Sequence, residues 1–183
     1  KIPSNGCKMR TLSKGSLCYF FSLLISSCST PRFMDTATDV KLKNFMGSWY
    51  VLAGRFTFLE KDVFNAVEQY TWNEDEKRID VSFNYNKGSF DGIKKSIPQK
   101  AWVENHTTNA YWKVSPLWPL KFDYLIVDVA EDYSWTAVGT PNQKYLWIMA
   151  RDPKKAQEVI AEVVQRLNKK GYDATIETVV PHQ

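Results

Sequence analysis

The sequence predicts a mainly β protein: an eight-stranded antiparallel up-and-down barrel with one C-terminal α-helix packed outside it. Three observations predict it. Between residues 49 and 150 the chain is a train of short alternating segments joined by polar turns. Eight strands with such short connections suit a closed barrel, because closure leaves no open sheet edge. After residue 152 one segment switches to helical periodicity. With 183 residues, 44% hydrophobic and 14% aromatic, the chain is large enough for one domain with a sizeable core.

The elements follow in order. Residues 42–46 read as a short helical turn closing the barrel's base. The first strand covers 49–56 and the second 66–72, followed by the turn Asn73-Glu74-Asp75-Glu76. The third, 79–85, is the clearest: Ile79, Val81, Phe83 and Tyr85 alternate with Asp80, Ser82 and Asn84, the pattern of a half-buried strand. The fourth covers 97–103, and Pro98 places its start at an irregular or edge position. A polar turn at 105–109 leads to the fifth strand, 110–115, and a loop at 116–121. The sixth, seventh and eighth strands cover 123–129, 134–138 and 145–150, with a turn at 139–143 between the last two. Asp152 as N-cap and Pro153 at the first helical position start the helix. Ala156, Val159, Ile160, Val163, Val164 and Leu167 form its apolar stripe, and Gly171 ends it. Residues 176–180 can add a ninth strand beside the first.

Charge narrows the partners. Lys and Arg number 24 against 20 Asp and Glu, but Lys1, Lys8, Arg10 and Lys14 lie in residues 1–27, which contain no acid. The remainder is neutral, which argues against nucleic acid as a partner. The cysteines are Cys7, Cys18 and Cys28, so the barrel itself contains no thiol for a disulfide, a metal or a nucleophile. His106 and His182 are the only histidines, little material for a zinc site, and no metal or other cofactor is expected.

Residues 1–27 read as a leader. Residues 1–8 resemble an upstream extension, with Met9 as the start. Arg10 and Lys14 precede an apolar run at 17–25, nine residues long. That length suits a signal core and is too short to span a bilayer. The run ends in Ile25-Ser26-Ser27-Cys28, which resembles a bacterial lipobox. The resemblance implies that Cys28 becomes an acylated N-terminus, since two or more chains anchor stably. By the bacterial sorting rule Ser29, in place of Asp, points to the outer membrane. Residues 28–41 are then a lipidated tether, and 42–183 the barrel with its helix.

Three blocks carry a resemblance of the folded part to the lipocalins. They are Gly47-Ser48-Trp49-Tyr50, Glu131-Asp132-Tyr133, and Tyr145-Leu146-Trp147-Ile148-Met149-Ala150-Arg151. Glu131 departs from the family's Thr. The third block resembles the bacterial outer-membrane lipoprotein lipocalins most closely, with apolipoprotein D and the plant temperature-induced lipocalins as relatives. The resemblance implies that Gly47, Trp49, Asp132, Tyr133 and Arg151 are structural. Trp49 is expected to plug the closed end, with Arg151 stacked on its indole and donating to nearby carbonyls.

The lipocalin resemblance also implies a ligand in the barrel's mouth. Strand parity offers Val51 and Ala53, Val81, Phe83 and Tyr85, Ala101 and Val103, and Trp112 and Val114 as lumen residues. Phe58 and Trp118 mark apolar loops at the rim. The second, sixth and seventh strands are apolar on both parities and stay unassigned, although Arg55, Glu68 and Asp128 are polar candidates for the lumen. No catalytic set is identifiable, and no enzyme is expected. The expected function is binding of small hydrophobic ligands, fatty acids or lysophospholipids, by an outer-membrane lipoprotein, for lipid storage, transport or membrane maintenance. Two alternatives stand beside it: an enzyme acting on a bound lipid or isoprenoid, and a structural lipoprotein with a filled barrel. A homodimer is compatible with the family.

Overall fold

The structure is a computed structural model in which residues 35–183 are described; Cys28 and the leader lie outside them. A single turn of helix, α1 (Leu42–Phe45), leads into β1 (Gly47–Arg55). A 3-10 turn (Phe58–Glu60) then precedes β2 (Val63–Asn73), β3 (Arg78–Lys87), β4 (Ile93–Val103), β5 (Tyr111–Leu117), β6 (Leu120–Val129), β7 (Trp135–Gly139) and β8 (Leu146–Ala150). Each pairs antiparallel with its neighbour in sequence, and β8 and β2 both pair with β1, which closes the ring. The helix α2 (Ala156–Lys169) and the short β9 (Thr178–Val179) complete the chain, with β9 paired to the upper half of β1.

Two apolar clusters follow from strand alternation. One fills the inside of the ring and includes Phe45, Trp49, Tyr70, Ile79 and Trp112. The other lies outside, where Val159, Val163 and Leu167 of α2 cover Leu52, Leu125, Val127, Ala137 and Ile148. The Asp152 side chain accepts from the Lys154 amide at 3.0 Å and caps a 3-10 turn (Pro153–Lys155) that opens the helix. Gly171 follows α2 at φ +74°, the left-handed conformation that ends helices.

Several boundaries differ from expectation. Residues 35–41, read as tether, pack with the barrel. The Ala37 amide donates to the Ile126 carbonyl at 2.9 Å, the Val40 amide to Thr108 at 2.8 Å, and Val40 is fully buried. β4 starts at Ile93, four residues early, and Pro98 lies within it. The 116–121 loop is mostly strand: β5 runs to Leu117 and β6 starts at Leu120, leaving a two-residue turn.

Bulges matter most for the site. Val51 pairs with Met149, but Ala53 pairs with Ile148, so β1 carries an extra residue between them. Leu52 and Ala53 therefore both face outward, and Ala53 leaves the lumen to which simple alternation assigned it. A second bulge, between Ile126 and Asp128 in β6, turns Asp128 outward as well.

Candidate ligand-binding site

The closed end of the barrel is built around Trp49. The Trp49 Nε1 donates to the Phe45 carbonyl at 2.8 Å, and the Arg151 guanidinium lies 3.7 Å from the indole centroid. Arg151 also donates to the carbonyls of Ser48, Asn44 and Met46 at 2.6, 2.8 and 2.9 Å. Gly47 adopts φ +95°, and a Cβ there would stand 3.4 Å from an Arg151 nitrogen. At the same end the Tyr133 hydroxyl accepts from the Lys41 amide at 2.7 Å, and Asp132 accepts from the Ser134 amide at 2.9 Å.

Above this plug is a cavity of about 440 Å³, open at the opposite end. It lies in the ~300–1,000 Å³ range of ligand pockets. At ~30 Å³ for a water-sized group, 440 Å³ is the scale of one acyl chain. Of the residues assigned to the lumen or mouth, Phe58, Val81, Phe83 and Val114 line it. Val51, Ala101, Val103 and Trp112 belong to the packed interior instead, and Tyr85 packs on Phe83 with ring centroids 5.0 Å apart. Trp118 lies elsewhere. Trp102 shares the outward face of its pair with Lys113, and the Trp118 ring sits 6.2 Å from it. The turn that carries Trp118 is too short to fold it back over the mouth.

The buried polar groups of the cavity are acidic and phenolic, Glu60, Glu68, Tyr70 and Tyr124, and Thr57, Gln99, Asp123, Thr140 and Asn142 line it as well. Tyr70 donates to the Glu68 carboxylate, and the Tyr70 and Tyr124 hydroxyls are 2.6 Å apart. Burial pushes the Glu68 carboxyl up to about 7; the Tyr70 hydrogen bond opposes this and the charge of Glu60 adds to it. Burial also pushes both phenols well above their ordinary value, so they keep their protons. Nearer the mouth, Glu60 accepts from the Trp147 Nε1 at 2.6 Å and from the Thr57 amide and hydroxyl at 2.8 and 2.5 Å. Burial raises the Glu60 carboxyl against these bonds. The other two polar lumen candidates lie outside. Arg55 donates to the carbonyls of Thr175, Asp173 and Gln143, and Asp128 bonds Arg166 of α2 at 2.8 Å.

Sequence reasoning left β2 unassigned, yet Ala66, Glu68, Tyr70 and Trp72 share the inner face. Ala66, Glu68 and Tyr70 are buried there and Trp72 is partly buried, against the more open Val67, Gln69 and Thr71. Glu60 gave no signal, because it acts from a 3-10 turn.

The wall has an open seam between β4 and β5. β4 and β5 pair only from Lys100–Ser115 down to Val103–Trp112. The next pairs upward would be Gln99 with Pro116 and Pro98 with Leu117. Antiparallel ladders bond every second pair, so one of these prolines would always leave a missing donor. A second hollow of about 400 Å³ lies along the seam, bordered by Pro98, Ser115 and Trp118. It shares Val81, Gln99 and Pro116 with the cavity.

A closed antiparallel barrel with a chain-sized, mostly apolar cavity and an outer helix defines a binding protein for small hydrophobic ligands. A lipocalin-like domain model matches residues 40–181, and the chain belongs to the lipocalin family. It is 26% identical over 154 residues to the outer membrane lipoprotein Blc of Vibrio cholerae, covering 83% of this chain and 89% of that one. It is 24% identical over 148 residues to temperature-induced lipocalin-1 of Arabidopsis thaliana, covering 76% and 78%. Among solved structures, insecticyanin from the tobacco hornworm Manduca sexta shares the fold at a TM-score of 0.56 and 15% identity, over 75% of this chain and 78% of that one.

Proposed function

We propose that the barrel binds one single-chain lipid, a fatty acid or a lysophospholipid, at a bacterial outer membrane to which an acylated Cys28 tethers it. The reading serves lipid storage, transport or membrane maintenance. The cavity of about 440 Å³ carries it, because a barrel filled by its own side chains would leave no such space. The rim adds support. Phe58, Ile93, Leu117, Leu120 and Phe122 are all more than half exposed there. Exposed Lys61, Lys87, Lys94, Lys95, Lys121 and Lys144 stand on the same loops, against Asp62 and Asp91. Apolar residues among lysines suit contact with a leaflet containing anionic lipid, at about 1 kcal/mol per basic residue near the surface. The relatives named Blc are outer membrane lipoproteins by name, and no helix among the described residues is long and apolar enough to cross a membrane.

Titration with a lysophospholipid, read by tryptophan quenching, tests the reading, since Trp147 lines the cavity. Native mass spectrometry of the extracted protein should show a bound single-chain lipid. A barrel that extracts empty and shows no quenching would refute the reading.

One observation favours a second reading, an enzyme acting on a bound lipid or isoprenoid. Glu68 is a buried carboxyl with a value of about 7, which suits a general base at neutral pH. Mass analysis of lipids incubated with the protein would show a product that the Glu68→Gln variant does not form.

A further inference from the structure

We infer that the inner end of the cavity is a head-group subsite for an amphiphile that donates hydrogen bonds, a long-chain primary amine, bound head first. The inference rests on the reading of the barrel as a carrier of single-chain ligands and adds a class whose head goes to Glu68, whereas a fatty acid or lysophospholipid enters chain first and keeps its head at the mouth.

Tyr70 has one hydroxyl proton, and it goes to Glu68. The 2.6 Å contact between the two phenols is then satisfied only by the Tyr124 proton, donated to the Tyr70 oxygen. Both phenolic protons are spent within the trio. With Glu68 ionised, as it is at pH 8, the trio offers only acceptors: the lone pairs of Tyr124 and Glu68 Oε1, which has no hydrogen-bond partner among the described residues. Glu68 is only 8% exposed and lines the cavity, so this oxygen faces the ligand space.

Charge points the same way. The charged residues lining the cavity are Glu60, Glu68 and Asp123, the last paired with Lys113, and none is a Lys, Arg or His. A carboxylate or phosphate head brought to Glu68 would meet a like charge, and Gln99, on the rung of Val81 and Tyr70, offers it a neutral amide but no cation. An ammonium supplies three donors and the opposite charge, to be met by the Glu68 carboxylate and the Tyr124 oxygen. The chain behind it runs outward along Phe83, Ile97, Val114 and Phe122 to the mouth.

Three probes that share one chain separate the heads: dodecylamine, dodecanol and dodecanoate, titrated at pH 8 into the full chain and its variants below their micelle concentrations. The amine is expected to bind about tenfold or more tighter than the carboxylate. Glu68→Gln is expected to remove most of that preference by weakening the amine, and to leave dodecanol within about threefold. Glu68→Asp keeps the charge and is expected to retain the preference, which separates head recognition from a general loss of structure. Equal binding of amine and carboxylate by the unaltered protein overturns the inference, as does a preference that Glu68→Gln leaves intact. If dodecanol and dodecanoate bind and the amine does not, only the head assignment fails. If none of the three binds, the carrier reading fails with it.

Discussion

The Arg151 guanidinium lies flat on Trp49, 3.7 Å from the ring centroid, while its nitrogens reach the carbonyls of Asn44, Met46 and Ser48. One side chain thus joins the last strand, the first strand and the turn before it. Lysine cannot stack and fork at once. Arg151→Lys should cost about 1–2 kcal/mol and lower the unfolding midpoint by several degrees, at about 2–4 °C per kcal/mol. Thermal unfolding followed by circular dichroism measures this. Lipid affinity should stay constant, since Arg151 lies at the closed end; an unchanged midpoint would show that the stack contributes little.

Glu68 makes stability depend on pH in an unusual direction. Its carboxyl rises from 4.5 to about 7 on folding, so the native state binds the proton more tightly. The stabilisation is full below pH 4.5 and is lost as pH climbs to about 7. At 1.36 kcal/mol per pKa unit the loss is on the order of 3 kcal/mol. Urea unfolding at pH 5 and pH 8 should show the wild type weakening across that interval, and Glu68→Gln should flatten the trend.

Asp128 behaves in the opposite sense. Burial alone would raise its carboxyl, but hydrogen bonds from Arg166 and Lys170 hold it below the usual carboxylate range. Its contribution is therefore present above pH 3.8 and is lost as pH falls through its lowered folded value. Both cations are partly exposed, so solvent screens the pair. Asp128→Asn should cost about 1–2 kcal/mol at neutral pH and much less in acid. Chemical denaturation at pH 7 and pH 3 would compare the two, and an equal cost at both would remove the ionic share.

Val114 lines the cavity without belonging to the plug around Trp49. Val114→Phe should fill ligand space. Lysophospholipid quenching should weaken by about tenfold, with a stability change below about 2 kcal/mol. Undiminished binding would move the ligand elsewhere.

Strand order and the outer helix were readable because each rests on a local pattern, and the plug because Gly47, Trp49 and Arg151 carry the lipocalin resemblance. Ile79, Val81, Phe83 and Tyr85 alternate without interruption, and two of them line the cavity. Ala53 and Asp128 were not readable by parity, because a bulge resets the alternation and leaves no mark in either segment. Trp118 misled for another reason. An exposed tryptophan on a rim turn suggests the mouth, but the direction of a two-residue turn depends on where both strands end. Of the three polar lumen candidates, Arg55, Glu68 and Asp128, the cavity lining includes Glu68 alone.

Pro98 and Pro116 give the seam between β4 and β5 an elastic meaning. The upper half of β4 is bonded to β3 alone. It can swing on β3 as on a hinge, and the mouth can widen with no ladder bond to β5 broken. A bulky guest would then be admitted at the cost of bending one ribbon.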